Sequence, residues 1–110
     1  MLLKNIETTK KYTLYLGLND KDTKTQKFDT ITSYKLTQDI ILNHTDGATI
    51  SLNEGLYTHK NGKIIIEKTL KIELLFINEI KTKAIIQELK KVFNQESIAI
   101  QEILIKTDLI

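Results

Sequence analysis

The residues whose types could do chemistry are Glu67, Tyr15 and the run Asn94, Gln95, Glu96 and Ser97. Glu67 follows Ile64, Ile65 and Ile66 and precedes Leu70. A carboxylate set among apolar side chains suits acid–base work or the anchoring of a ligand; it equally suits an ion pair or hydrogen bond across an interface. The run 94–97 brings amide, carboxylate and hydroxyl groups together. These groups can bind a polar ligand, and they can also cap a helix and start a strand. Asn19, Asp20 and Asp22 look like the opening of a calcium loop, but the glycine and closing glutamate of an EF-hand are missing, which leaves a solvated loop. His44 and His59 have no second ligand at metal spacing, so no metal site is expected. There is no Ser-His-Asp set, phosphate loop or dinucleotide glycine motif, and no cofactor is expected.

These residues need elements to position them. Residues 63–76 alternate, with Ile64, Ile66, Leu70, Ile72, Leu74 and Phe76 on a dry side and Lys63, Glu67, Thr69, Lys71 and Glu73 on a mixed side. Side chains on a strand alternate faces, so this is one long strand with Glu67 near its middle. An earlier strand over 11–18 puts Tyr12, Leu14, Leu16 and Leu18 on one face and Thr13, Tyr15 and Gly17 on the other. Pairing of these two strands is expected to bring Tyr15 beside Glu67. Gly17 reads as a bulge or strand-end bend, or as a place where a ligand or neighbouring chain comes close.

Asp29 or Thr30 caps a helix running to about His44, with Ile31, Tyr34, Gln38 and Ile41 as its stripe, broadened by Leu36 and Ile40. A strand over 48–57 follows, with a bulge expected at Glu54-Gly55. The turn His59-Lys60-Asn61-Gly62 joins it to the long strand. Asn78 caps a second helix over 79–93, whose apolar side is Ile80, Ala84, Ile85, Leu89, Val92 and Phe93. The last strand spans about 97–106, and residues 1–10 and 106–110 are peripheral.

The order β-α-β-β-α-β predicts one α+β domain of the ferredoxin-like kind, a four-stranded antiparallel sheet with two helices on one face. The chain's 110 residues suffice for a single core. The uncovered face would carry Thr13, Tyr15, Thr49, Ser51, Ile65, Glu67, Thr69, Lys71, Glu73, Leu75, Ala99, Gln101 and Ile103, too apolar for a solvated surface and too polar for a core. A homo-oligomer, dimer or trimer, built through that face is the expectation.

Composition narrows the partners. Every basic residue is Lys, so the planar fork that reads guanine or grips phosphate bidentately is absent, and sequence-specific nucleic-acid binding is not expected. No apolar run reaches the length of a membrane span, and the first residues lack a secretory apolar core; a cytoplasmic protein is expected. Cysteine is absent, which excludes disulfides and thiol chemistry.

Tyr15, Gly17 and Leu18, then Gly55, Tyr57, Asn61, Gly62 and Glu67, then Phe93, Gln95, Glu96 and Ser97 form a pattern over about residues 12–100. It resembles a family of small bacterial proteins with a closing Phe-x-Gln-Glu-Ser motif and no assigned activity. The resemblance implies a ferredoxin-like fold and draws attention to Glu67, Gln95, Glu96 and Ser97. The layout is also similar to PII-like proteins, trimers that bind nucleotides at subunit clefts. The first functional expectation is an oligomeric binding or regulatory module without catalysis, holding a small polar ligand or a protein partner at a subunit cleft. One alternative is a small cofactor-free enzyme of the dimeric ferredoxin-like type, similar to the antibiotic-biosynthesis-monooxygenase class. The other is a mobile-element accessory protein that inhibits a host factor.

Overall fold

A computed structural model describes residues 2–110. The elements run β1 (Thr8–Gly17), α1 (Thr30–Leu42), β2 (Thr49–Thr58), β3 (Ile64–Leu74), α2 (Glu79–Phe93) and β4 (Ala99–Lys106). The strands form one antiparallel sheet in the order β2-β3-β1-β4, so the alternating strand that carries Glu67 lies inside it. This is the ferredoxin-like α+β arrangement expected from the element order.

The core lies between the helices and one face of the sheet. Tyr12, Leu14, Leu16 and Leu18 meet Leu70, Ile72 and Leu74 from the sheet side, and Ile40, Ile41, Ile85, Leu89 and Phe93 close it from the helices. Each aliphatic side chain sealed in this way contributes about 2 kcal/mol through lost apolar surface. Phe28 meets the edge of Phe93 at 5.6 Å between ring centres and closes one end.

Both helices begin at the expected caps. The Asp29 carboxylate accepts from the Thr32 N–H at 2.7 Å, and the Asn78 side chain accepts from the Lys81 N–H at 2.8 Å. Their buried faces differ from expectation. In α1 the buried residues are Ser33, Thr37, Ile40 and Ile41, whereas Ile31 and Tyr34 are exposed. Small hydroxyl residues let the helix approach its neighbours closely, and a stripe read from hydropathy passes over them. In α2 the buried set is Thr82, Ile85, Leu89 and Phe93, and Ile80 in the first turn stays 80% exposed.

The hairpin forms at the expected turn, where Gly62 takes a positive φ, +83°, and the Asn61 side chain accepts from the Lys63 N–H at 3.0 Å. Two further expectations change. No bulge occurs at Glu54-Gly55, because β2 pairs with β3 without a break from Thr49↔Glu73 to Thr58↔Ile64. The dry side of β3 is dry only from Leu70 onward. The helices stop short of the hairpin, leaving Leu56, Ile64 and Ile66 at 70%, 67% and 61% exposure. Phe76 falls after the strand, exposed and with a φ of +56°. Among the described residues no helix is long and apolar enough to cross a membrane.

Candidate functional site

The face of the sheet turned away from the helices holds a cleft of about 640 Å³, within the roughly 300–1,000 Å³ usual for small-molecule sites. It lies at the end of the sheet where β1 and β4 part. Their pairing ends at Tyr15↔Ala99, while β1 continues along β3 to Gly17↔Thr69. The gap is filled from one side by the loop after β1 and from the other by the segment between α2 and β4. Tyr15, Gly17, Asn19, Lys21 and Lys24 line it along with Tyr57, Glu67, Thr69, Gln95, Glu96 and Ser97.

Glu67 forms part of the floor. Its direct partner on β2 is Gly55, but its side chain lies across β1 over Gly17, and Oε2 accepts from the Asn19 N–H at 2.9 Å. Thr69, whose partner on β1 is Gly17, comes close to Gly55 on the other side. The two side chains thus lean in opposite directions, each into space left by a glycine. Gly17 is neither bulged nor bent, since Leu18 continues the ladder by donating to the Lys68 carbonyl at 3.0 Å. Among the described residues no Lys lies within ion-pair distance of Glu67. By contrast, Glu73 at the other end of β3 lies near both Lys11 and Lys71, at 3.6 and 3.5 Å.

Tyr15 does not pair with Glu67 as expected. The register sets it opposite Lys71, with Gly17 and Thr69 standing between it and Glu67. Its hydroxyl donates to Gln101 Oε1 at 3.2 Å. Tyr57 lies two residues beyond Gly55 on β2, so the two tyrosines bracket the glycine floor from opposite strands.

The run 94–97 splits. Asn94 ends α2 in the left-handed conformation, φ 50°, and its amide donates to Asp20 Oδ1 at 2.9 Å and Asp22 Oδ2 at 2.8 Å. It stands behind the cleft and is absent from its wall. The Gln95 amide lies on the wall and donates to the Asn19 carbonyl, and Glu96 and Ser97 complete that side.

Asp20 is the centre of the opposing loop, and the solvated loop expected there is partly buried. Asp20 is only 8% exposed. The Asp22 backbone N–H holds its carboxyl below the usual range, against the opposing effect of burial. The Thr23 N–H, the Asn94 amide and the charge of Lys27 add to the lowering.

At the level of fold, the chain is similar to a phage SAM lyase in complex with S-methyl-5'-thioadenosine, with a TM-score of 0.62 and 21% identity over 89% of each chain. A phage SAM lyase in the apo state gives a TM-score of 0.61 and 19% identity, covering 94% of this chain and 93% of the other. No family model matches the chain, and no curated protein matches it.

Several cleft residues were not candidates from the sequence: Lys21, Lys24 and, as a ligand-facing aromatic, Tyr57, while Asn19 belonged to an expected solvated loop and Thr69 to the uncovered face. Thr69 carried a signal, since it lies two residues from Glu67 on the same strand, whereas the facing of Tyr57 depends on the hairpin register. Lys24 carried none, because its left-handed φ of +62° arises from a loop closed by Asp20.

Proposed function

We propose that the cleft binds an S-adenosyl sulfonium compound and that the protein is a lyase releasing S-methyl-5'-thioadenosine. The observation that carries this reading is the Glu67 carboxylate, with no Lys within ion-pair distance among the described residues, on the floor of an open cleft between Tyr15 and Tyr57. A sulfonium bears its charge with no N–H or O–H to donate, so an anion and aromatic faces suit its recognition. Thr69, Gln95 and Ser97 offer groups for a ribose or a base. The fold likeness to phage SAM lyases supports the reading.

The chemistry asks little of the protein. The bond between the sulfonium sulfur and the four-carbon chain breaks, both electrons pass to sulfur, and a neutral thioether leaves without a general acid. The carbon left behind either bonds to the fragment's own carboxylate oxygen or becomes part of a double bond as a neighbouring carbon gives its proton to Glu67. These roles separate in kinetics. Positive charge on sulfur fades toward the transition state, so a carboxylate that only pairs with it favours the bound substrate over the transition state. Glu67→Gln then raises KM by about 10- to 100-fold, a scale set by hydrogen bonds to charged groups, and raises kcat rather than lowering it. If Glu67 is the base, kcat falls instead.

The test is incubation with S-adenosylmethionine and detection of S-methyl-5'-thioadenosine by chromatography, alongside thermal melts with both compounds. Product formation that Glu67→Gln impairs is the expected result. Binding without product returns the cleft to a binding module, and absence of both overturns the proposal. The reading includes a second copy of the chain covering the sheet face that holds the cleft.

A further inference from the structure

Gly17 has no side chain at the one point where the Glu67 carboxyl crosses β1. A Cβ built there would stand 2.6 Å from Oε1 and 2.7 Å from both Cδ and Oε2. All three atoms belong to the far end of a flexible side chain, so an added methyl displaces the carboxylate and spares the backbone. Gly17 needs no unusual φ, and the ladder continues past it. Its lack of a side chain therefore serves the placement of Glu67 and no turn.

We infer that Gly17 is a positioning residue: it sets the rotamer in which Glu67 lies flat against β1, held by the Asn19 N–H, with its carboxylate presented to the cleft. The inference rests on the ligand reading above for its functional meaning, but the placement has its own readout. Gly55 supplies a contrast. A methyl there would stand 2.8 Å from Thr69 Oγ1 and 3.3 Å from the Glu67 carbonyl, and would leave the Glu67 carboxylate in place.

The experiment compares wild type, Gly17→Ala, Glu67→Gln and the double variant. Thermal melts report folding. The Asn19 amide resonance, followed by NMR, reports the hydrogen bond to Glu67, because that proton shifts when its charged acceptor is replaced. Glu67→Gln moves the resonance in the wild-type background. In the Gly17→Ala background the same replacement leaves it in place, although the protein melts cooperatively. Binding of S-adenosylmethionine weakens on the order of tenfold in Gly17→Ala, and the double variant loses no more than Glu67→Gln alone, as expected of residues acting as one unit. An Asn19 resonance that Glu67→Gln moves equally in the Gly17→Ala background, or losses that add in the double variant, overturns the inference. If wild type binds neither S-adenosylmethionine nor S-methyl-5'-thioadenosine, the proposed function falls while the Asn19 resonance still decides the placement.

Discussion

Asp20 connects the loop after β1 to the end of α2 through a carboxylate almost out of water, bonded to two backbone N–H groups of its own turn and to the Asn94 amide. Its folded-state pKa is lowered, so its contribution to stability is fully present above the unfolded Asp value of about 3.9 and drains away as pH falls through the folded one. Melting temperatures of wild type and Asp20→Asn measured from neutral pH downward should therefore converge in acid. A gap that stays constant with pH would remove the charge from the account. The cleft and the Asp20–Asn94 contact differ in what the sequence revealed. Glu67 stood out because a strand period placed it on a face. Asn94 was visible only as a polar residue after a helix, and nothing local showed that its amide would be used by Asp20, seventy-four residues away.

Thr37 shows what a helix face can hide. Its hydroxyl is buried in α1 and has no hydrogen-bond partner among the described residues. An unsatisfied buried hydroxyl is unfavourable, and valine has nearly the same shape, so Thr37→Val should stabilise the fold by about 1 kcal/mol in chemical denaturation. A loss of stability would mean that the hydroxyl has a partner after all. The same helix marks the limit of periodicity. Caps at Asp29 and Asn78 were legible because one side chain satisfies one backbone donor. The burial stripe of α1 was misplaced because contact with the sheet selects small residues as readily as apolar ones. The strands were legible by alternation. The end of cover on β3 was not, since Ile66 and Ile72 look alike in sequence and differ only in whether a helix lies behind them.

The whole molecule is elongated, 52 × 30 × 23 Å, with one sheet face under helices and the other open. That open face bears Ile65, Ile103 and Ile105 among the Lys11, Lys71 and Glu73 ion pairs, and the cleft occupies its end. With a second copy over it, light scattering at micromolar concentration should give a multiple of the 12.7 kDa chain mass, and Ile65→Lys with Ile103→Lys should reduce it to one chain. A wild-type mass of one chain together with intact ligand binding would separate the cleft from any assembly. Topology was legible as soon as six elements were in order, because few arrangements pair four strands under two helices. Which face carries a partner lies outside that logic.

The hairpin that extends past the helices gives the cleft two halves of unequal stiffness. Tyr15 stands on β1, backed by core, whereas Tyr57 stands on a ribbon of two strands with water on both sides near Leu56 and Ile66. A two-stranded ribbon without cover opens at a lower free energy than the sheet it grows from. A ligand held by both tyrosines must therefore quieten the outer ribbon, and part of its binding energy is spent on that ordering. Affinity in this cleft is then tuned at the turn 59–62, by residues that touch no ligand atom.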